Sequence, residues 1–284
     1  MNRLRLTILT ACIVLFTMQA EAQKSANKYK NEGYELVWAD EFDQDGKVNP
    51  AYWHFENGFA RNQELQWYQE DNAWCENGLL IIEARAEKRK NPTYDPSSNH
   101  WGRKREYITH TSSSINTGGK KSWLYGRFEM RAKIDVSDGL WPAFWTLGVD
   151  KEWPSNGEID IMEYYEGKIL ANIACGTSTR WNAEWYSKTR SIEALGGKSW
   201  ADDFHVWRMD WTPEYIALYV DDELMIKEPM SKLHNKDGSG FNPFKQPHYI
   251  LLNLAMGGMN GGELNDTKFP NRYKVDYVRV YQQP

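Results

Sequence analysis

The chain has 284 residues, 41% of them hydrophobic, and a formal net charge of −5 with no run of Lys or Arg. The acidic balance and the missing basic stripe exclude nucleic acid as a partner, because phosphate contacts dominate that kind of affinity. Aromatic residues reach 14%, including 14 Trp and 16 Tyr, more indole than a core alone requires, and flat aromatic faces also suit the apolar faces of ring-shaped ligands.

The N-terminus reads as an export signal. Arg3 and Arg5 precede an apolar stretch from Leu6 to Met18, and Ala20-Glu21-Ala22 fits the small-x-small cleavage rule. A signal peptide is expected over residues 1–22, with the mature chain starting at Gln23. The apolar stretch is too short to be a permanent span, and no second membrane candidate follows. Leu9-Thr10-Ala11-Cys12 also resembles a lipobox, so lipid anchoring at the cell surface is an alternative to a periplasmic or extracellular protein. Residues 23–33 are polar and read as a flexible leader, and residues 34–284 as a single domain without linker or repeat. Cys75 and Cys175 remain in the mature chain, where either a disulfide or two buried thiols are allowed.

Along the chain the apolar residues alternate. Leu80, Ile82, Ala84 and Ala86 share one parity, and Leu124, Phe128, Met130, Ala132 and Ile134 share another set against Tyr125, Arg127, Glu129, Arg131 and Lys133. Period two predicts half-buried strands. Ile216, Leu218 and Val220 repeat it before Asp221-Asp222, a hairpin turn. A near-continuous apolar run covers Tyr249–Ala255, and Val275–Tyr281 is rich in β-formers. Long helical stripes are missing, so the expected fold is all-β, a sandwich or jelly roll. Two irregular stretches, 87–111 and 177–203, read as long loops where binding residues sit.

The chemistry concentrates in Gly157-Glu158-Ile159-Asp160-Ile161-Met162-Glu163. Glu158 and Asp160 point to one face of a strand. Glu163 has the opposite parity, and a β-bulge at Ile161-Met162 would bring it round to join them, leaving Ile159, Ile161 and Met162 for the core. Three carboxylates on one face repel, which raises the pKa of at least one. Glycoside hydrolysis uses such a set: one carboxylate attacks the anomeric carbon and a protonated one serves the leaving oxygen, about 5–5.5 Å apart in retaining enzymes. An acidic surface strand is the structural alternative. The spacing does not match a calcium-binding loop, and no His lies nearby.

The surroundings make the motif specific. Gly139-Leu140-Trp141-Pro142-Ala143-Phe144-Trp145 lies upstream, and Trp153-Pro154-Ser155-Asn156-Gly157 runs directly into Glu158. With Trp38-Ala39-Asp40-Glu41-Phe42, Tyr125-Gly126-Arg127-Phe128-Glu129, Asn253-Leu254-Ala255-Met256-Gly257-Gly258 and Val275-Asp276-Tyr277-Val278-Arg279-Val280-Tyr281, the chain resembles glycoside hydrolase family 16, the laminarinase-like branch with the bulged E-x-D-x-x-E signature. The resemblance covers roughly residues 35–282. It implies a β-jelly roll of two antiparallel sheets with an open concave cleft. It implies Glu158 as nucleophile, Asp160 as assisting residue and Glu163 as acid/base. It places Trp141, Trp145 and Trp153 at the cleft against sugars, with Asn62 as a polar cleft residue and His205 near the acid/base. It also implies a structural calcium held by Glu41, the backbone of Gly78 and Asp276, away from a chemistry that needs no cofactor.

A monomer acting as an endo-hydrolase of β-1,3- or mixed β-1,3/1,4-glucan is the expectation. Alternatives are an endo-β-galactosidase on mucin O-glycans or agar-type galactan, a non-catalytic glycan-binding module, or a transglycosylase.

Overall fold

A computed structural model of the chain describes residues 29–284. The signal segment, Cys12 and residues 23–28 lie outside the described residues. The chain runs through β1 (Glu35–Asp40), β2 (His54–Phe55), β3 (Gln66–Tyr68), β4 (Ala73–Glu76), β5 (Leu79–Lys90) and β6 (Tyr107–Ser112). It continues through β7 (Ser114–Asn116), β8 (Gly126–Lys133), β9 (Leu140–Gly148), β10 (Glu158–Tyr165), β11 (Lys168–Gly176) and β12 (Ala183–Ser191). It closes with β13 (His205–Trp211), β14 (Tyr215–Val220), β15 (Glu223–Pro229), β16 (His248–Met256) and β17 (Asn271–Gln282).

These strands build a jelly-roll sandwich. One sheet has the order β15-β14-β13-β8-β17-β5-β6-β3, with β1 on β17 and β4 on β5. The other is seven-stranded, in the order β12-β11-β10-β9-β16-β7-β2. Pairing is antiparallel throughout except that β3 lies parallel to β6.

The alternation explains the core. Leu80, Ile82 and Ala84 of β5, Phe128, Met130 and Ala132 of β8, and Ile216, Leu218 and Val220 of β14 all point between the sheets. Phe144, Ile250, Leu252 and Leu254 meet them from the other side. Each Leu, Ile, Val, Phe or Met among them contributes about 2 kcal/mol on burial. The Asp221-Asp222 hairpin is present, with φ of 50° and 64°. Positive φ at both central positions is the turn that matches strand twist. Asp is tolerated there because both side chains are engaged: Asp221 accepts from the Val206 amide at 2.9 Å, and Arg208 pairs with Asp222 at 3.1 Å.

Three expectations change. The leader is not loose from Tyr29 onward. Tyr29 is buried, its hydroxyl donates to Glu129, and the Arg127 guanidinium stacks on both Tyr29 and Tyr34. Buried aromatic surface and a buried acceptor hold it where its polar neighbours suggested coil. The stretch 177–203 is not one loop, because Ala183–Ser191 forms the edge strand β12. Its faces are both largely solvent-exposed, so no alternation marks it. The stretch 87–111 is irregular only between Lys90 and Tyr107, where β5 and β6 end and begin. Cys75 and Cys175 are free and buried, on β4 and β11 of opposite sheets, and burial pushes the thiols up to about 11 and about 12. Among the described residues, no helix is long and apolar enough to cross a membrane.

Candidate active site

A cavity of about 740 Å³ opens on the outer face of the seven-stranded sheet. Alternate residues of adjoining strands floor it: Trp141, Ala143, Trp145 and Leu147 from β9, and Tyr249, Leu251 and Asn253 from β16. Their neighbours Leu140, Phe144, Ile250 and Leu252 face the core, so the strand period alone divides cleft from interior.

β10 departs from that period at one place. Its register against β9 shifts between Asp160 and Met162, and against β11 between Asp160 and Glu163. Ile159, Ile161 and Met162 all enter the core, and Glu163 emerges on the cleft side with Glu158. The bulge read from the sequence is present.

Each carboxylate has its own partners. The Trp153 indole N–H donates to Glu158 Oε2. The Trp141 indole N–H donates to Glu163 Oε1 at 2.7 Å. One amide nitrogen, Asn172 Nδ2, donates to Asp160 Oδ2 at 3.0 Å and to Glu163 Oε2 at 2.8 Å. Asp160 Oδ1 receives no donor from elsewhere. Asp160 is buried, and burial raises its pKa well above the carboxylate range, with the charges of Glu163 and Glu158 adding to the effect. That direction favours the protonated form of Asp160 beside its two neighbours. Burial, reinforced by the Glu158 charge, pushes Glu163 up to about 7 against the pull of the Trp141 and Asn172 donors. Burial also raises Glu158, while the Trp153 indole, the hydrogen bond with Asp160 and the Arg61 charge oppose it. The three adjacent acids thus have different donors and different neighbours, the kind of arrangement that can separate an acid from a base in one site.

Four contributors were not singled out as site residues in the sequence. Asn172 is the one amide in the apolar run of β11, and a polar residue at a cleft-facing position there was the available signal. Asn253 Oδ1 accepts the Trp145 indole N–H at 2.7 Å. Arg61 is gripped by Glu56 and lies 5.2 Å from the Trp145 ring centroid, and its Nη1 has no partner among the described residues. Glu64 is buried behind it, accepting from Gln66 at 2.6 Å and from Asn62 at 3.2 Å. Burial raises the Glu64 pKa, opposed by the Arg61 charge.

Trp141, Trp145, Trp153 and Asn62 all line the cleft, joined by Trp181 and Trp185. Trp153 and Trp181 stack with ring centroids 6.5 Å apart. His205 does not join them. It sits on β13 of the opposite sheet, its Nδ1 on Asp221 at 2.5 Å, its Nε2 on the Trp200 carbonyl at 2.6 Å, and its ring 3.7 Å from that of Trp200. Both ring nitrogens face acceptors, so His205 straps a hairpin to the segment before β13, and strand parity gave no warning of which sheet it joined.

The calcium positions fail on charge. Arg279 grips both oxygens of Glu41 at 2.7 Å, and Arg131 holds Asp276 Oδ2 at 2.6 Å. A dication there would have to compete with two guanidinium groups already paired with these carboxylates. Gly78 forms, with Asn77, the two-residue turn between β4 and β5, at φ of 54° and 73°. Among the described residues, no cluster of three or more His, Cys, Asp or Glu side chains is placed to hold a metal ion. Chelation is therefore expected to leave the melting temperature unchanged, and a fall of several degrees in a thermal scan with and without EDTA would restore the cation.

Gly157 sets where Glu158 begins. Its φ is +78°, and a Cβ there would lie 2.7 Å from Pro243 Cβ and 3.1 Å from the Phe244 ring. Gly157→Ala should cost roughly 2–4 kcal/mol in left-handed strain and overpacking. Chemical denaturation checks this, and an unchanged midpoint would mean that the Pro243 side yields.

The comparisons agree with this geometry. The family model "Glycosyl hydrolases family 16" matches residues 66–279. The chain is 36% identical over 291 residues to a beta-glucanase of Rhodothermus marinus, covering 98% of this chain and 92% of that one. It superposes with TM-score 0.79 and 34% identity on a structure from work on endo-acting O-glycanases with which human gut microbes initiate mucin breakdown, covering 88% and 91% of the two chains. The laminarinase catalytic domain of Thermotoga maritima gives TM-score 0.74 and 31% identity, covering 88% and 99%. With a bulged carboxylate strand flooring an aromatic cleft, and that match across most of its length, the chain is a glycoside hydrolase and belongs to glycosyl hydrolases family 16.

Proposed function

We propose that the protein is an exported, endo-acting, retaining hydrolase of β-linked glucan, with Glu158 as nucleophile, Glu163 as acid/base and Asp160 as the proton-holding residue between them. One feature supports the assignment of roles: burial and the Glu158 charge push the Glu163 pKa up to about 7, whereas the burial that raises Glu158 is opposed by the Trp153 indole and by the Arg61 cation. The Glu158 carboxylate attacks the anomeric carbon. The bond to the leaving sugar breaks as the Glu163 carboxyl gives its proton to the departing oxygen. Water then attacks the glycosyl ester, gives its proton to the Glu163 carboxylate and releases Glu158. Asp160, keeping its proton through the cycle, stabilises whichever neighbour carries the charge.

The open cleft supports internal cleavage of a chain, and the beta-glucanase and laminarinase relatives support a glucan. A β-galactoside of mucin is the second reading, favoured by the O-glycanase structure. Export rests on the order of basic, apolar and small residues in segment 1–22.

Reducing-end release on laminarin, barley β-glucan, agarose and gastric mucin tests the substrate. Glucan oligosaccharides support the first reading, and products from mucin or agarose alone move it to a β-galactoside. Proton NMR of the first product tests the mechanism: an initial β-anomer is expected, and an initial α-anomer rejects double displacement.

A further inference from the structure

A second cavity, of about 400 Å³, lies outside the catalytic cleft, within the range of small-ligand sites. It shares a wall with the cleft. Glu56 lines the cleft and the next residue, Asn57, lines this cavity, with consecutive Cα atoms about 3.8 Å apart. The wall is fixed: Gly58 and Tyr68 exchange both backbone hydrogen bonds at 3.0 Å.

The far side is the segment between β5 and β6, and it is tied down. Asn91 Nδ2 donates to the carbonyls of Gly102 at 2.9 Å and Arg105 at 2.7 Å. Arg105 lies 4.8 Å from the ring centroids of both Phe59 and Trp101, and its guanidinium donates to the Gln63 carbonyl at 2.6 Å and to the Glu64 carbonyl. The segment is thus pinned to the stretch that carries Arg61 and Asn62.

Inside the cavity, Trp67 and Phe59 meet edge to face with centroids 5.4 Å apart. Around them stand donors. His100 Nδ1 accepts from the Gly102 amide at 3.2 Å, so the ring proton sits on Nε2 and can donate. Among the described residues, no hydrogen bond engages the side chains of Asn57 or Arg103. No carboxylate lines this cavity, whereas Glu56, Glu64, Glu158 and Glu163 line the cleft. An aromatic face ringed by free donors matches a sugar ring, which offers an apolar face and a rim of acceptor oxygens.

We infer that this cavity is a distal subsite that takes one sugar unit of the same glycan chain whose scissile bond lies in the cleft, with Trp67 as its platform and Asn57, His100 and Arg103 as its hydrogen-bond donors. The inference rests on the glycan-hydrolase reading of the cleft. Its consequence is selection for long chains: a short oligosaccharide fills the cleft alone, and a polymer engages both.

The test uses the full chain. Pocket changes are Trp67→Ala and, separately, the exposed pair Asn57→Ala with Arg103→Ala, which leaves the core untouched. In a Glu158→Gln background, affinity electrophoresis through laminarin or gastric mucin reads binding without turnover. Each change is expected to weaken retardation about tenfold in Kd. In otherwise unaltered enzyme the same changes should lower kcat/KM about tenfold on the polymer and leave a tetrasaccharide of the same linkage unaffected. Trp67-dependent retardation without cleavage of either polymer would remove the substrate reading and keep the subsite. Cleavage with chain-length dependence and retardation indifferent to both changes would remove the subsite and keep the reading. No retardation in either gel, or an equal fall on long and short substrates, also overturns the subsite.

Discussion

Glu158→Gln is expected to lower kcat roughly 10⁴-fold, because the covalent route needs a carboxylate at the anomeric carbon and an amide cannot form the ester. Folding should survive. Gln has the same shape, the Trp153 indole can donate to its amide oxygen as it does to Glu158 Oε2, and one charge leaves a crowded group. Glycan affinity should stay near that of the parent, since Trp145, Trp141 and Trp153 keep their places in the cleft. Glu158→Gly with added azide sharpens the result. The small anion fits the space vacated on the attacking face, and the expected product is an α-glycosyl azide at a partly restored rate. Activity within tenfold of the parent in Glu158→Gln would move the nucleophile elsewhere. Loss of glycan binding together with a lowered melting temperature would make Glu158 a structural residue.

The strands and the site were legible to different degrees, for physical reasons. Phe128, Met130 and Ala132 announced β8 because one face is apolar and the other carries charged residues, and a period of two is the imprint of that contrast, even though Arg127 and Glu129 are themselves buried. The bulge at Ile161-Met162 was legible because two apolar residues in succession interrupt a carboxylate parity that only an extra residue repairs. β12 was not, since an edge strand with two wet faces leaves no contrast. His205 was placed near the acid/base by the resemblance alone, and sheet membership is a long-range property that local pattern does not encode. Arg61 and Asn172 were hidden for a related reason. Their roles come from meeting Trp145 and the carboxylates across strands, and sequence spacing carries no record of that. The calcium positions show the converse: the residue types are present, and the arginines that neutralise them are recognisable only once the sheet pairs β1 with β17 and β17 with β8.

Glu163→Gln should separate chemistry from stability. The proton donor is lost, so polymer hydrolysis should fall about 10³-fold. A substrate whose leaving group departs without a proton, such as a dinitrophenyl glycoside, should still form the glycosyl ester, and water attack on it becomes the slow step. A burst of leaving group followed by a slow steady state is the expected trace. Stability should move the other way. Burial raises the folded-state pKa of Glu163 from an ordinary 4.5 to about 7, so the folded state binds the extra proton. Its contribution is fully present below about pH 4.5 and is lost as pH rises through about 7. The parent then carries a buried charge above pH 7 that Gln does not. Glu163→Gln should therefore melt about 5 °C above the parent at pH 8, with the gap closing as pH falls towards 4. The same proton governs catalysis, so the parent's kcat/KM should fall as pH rises through about 7. Melting curves of parent and variant across that range decide the matter. A gap that widens on acidification would mean that Glu163 is held ionised by its indole and amide donors, and the acid/base role would then have to pass to another group.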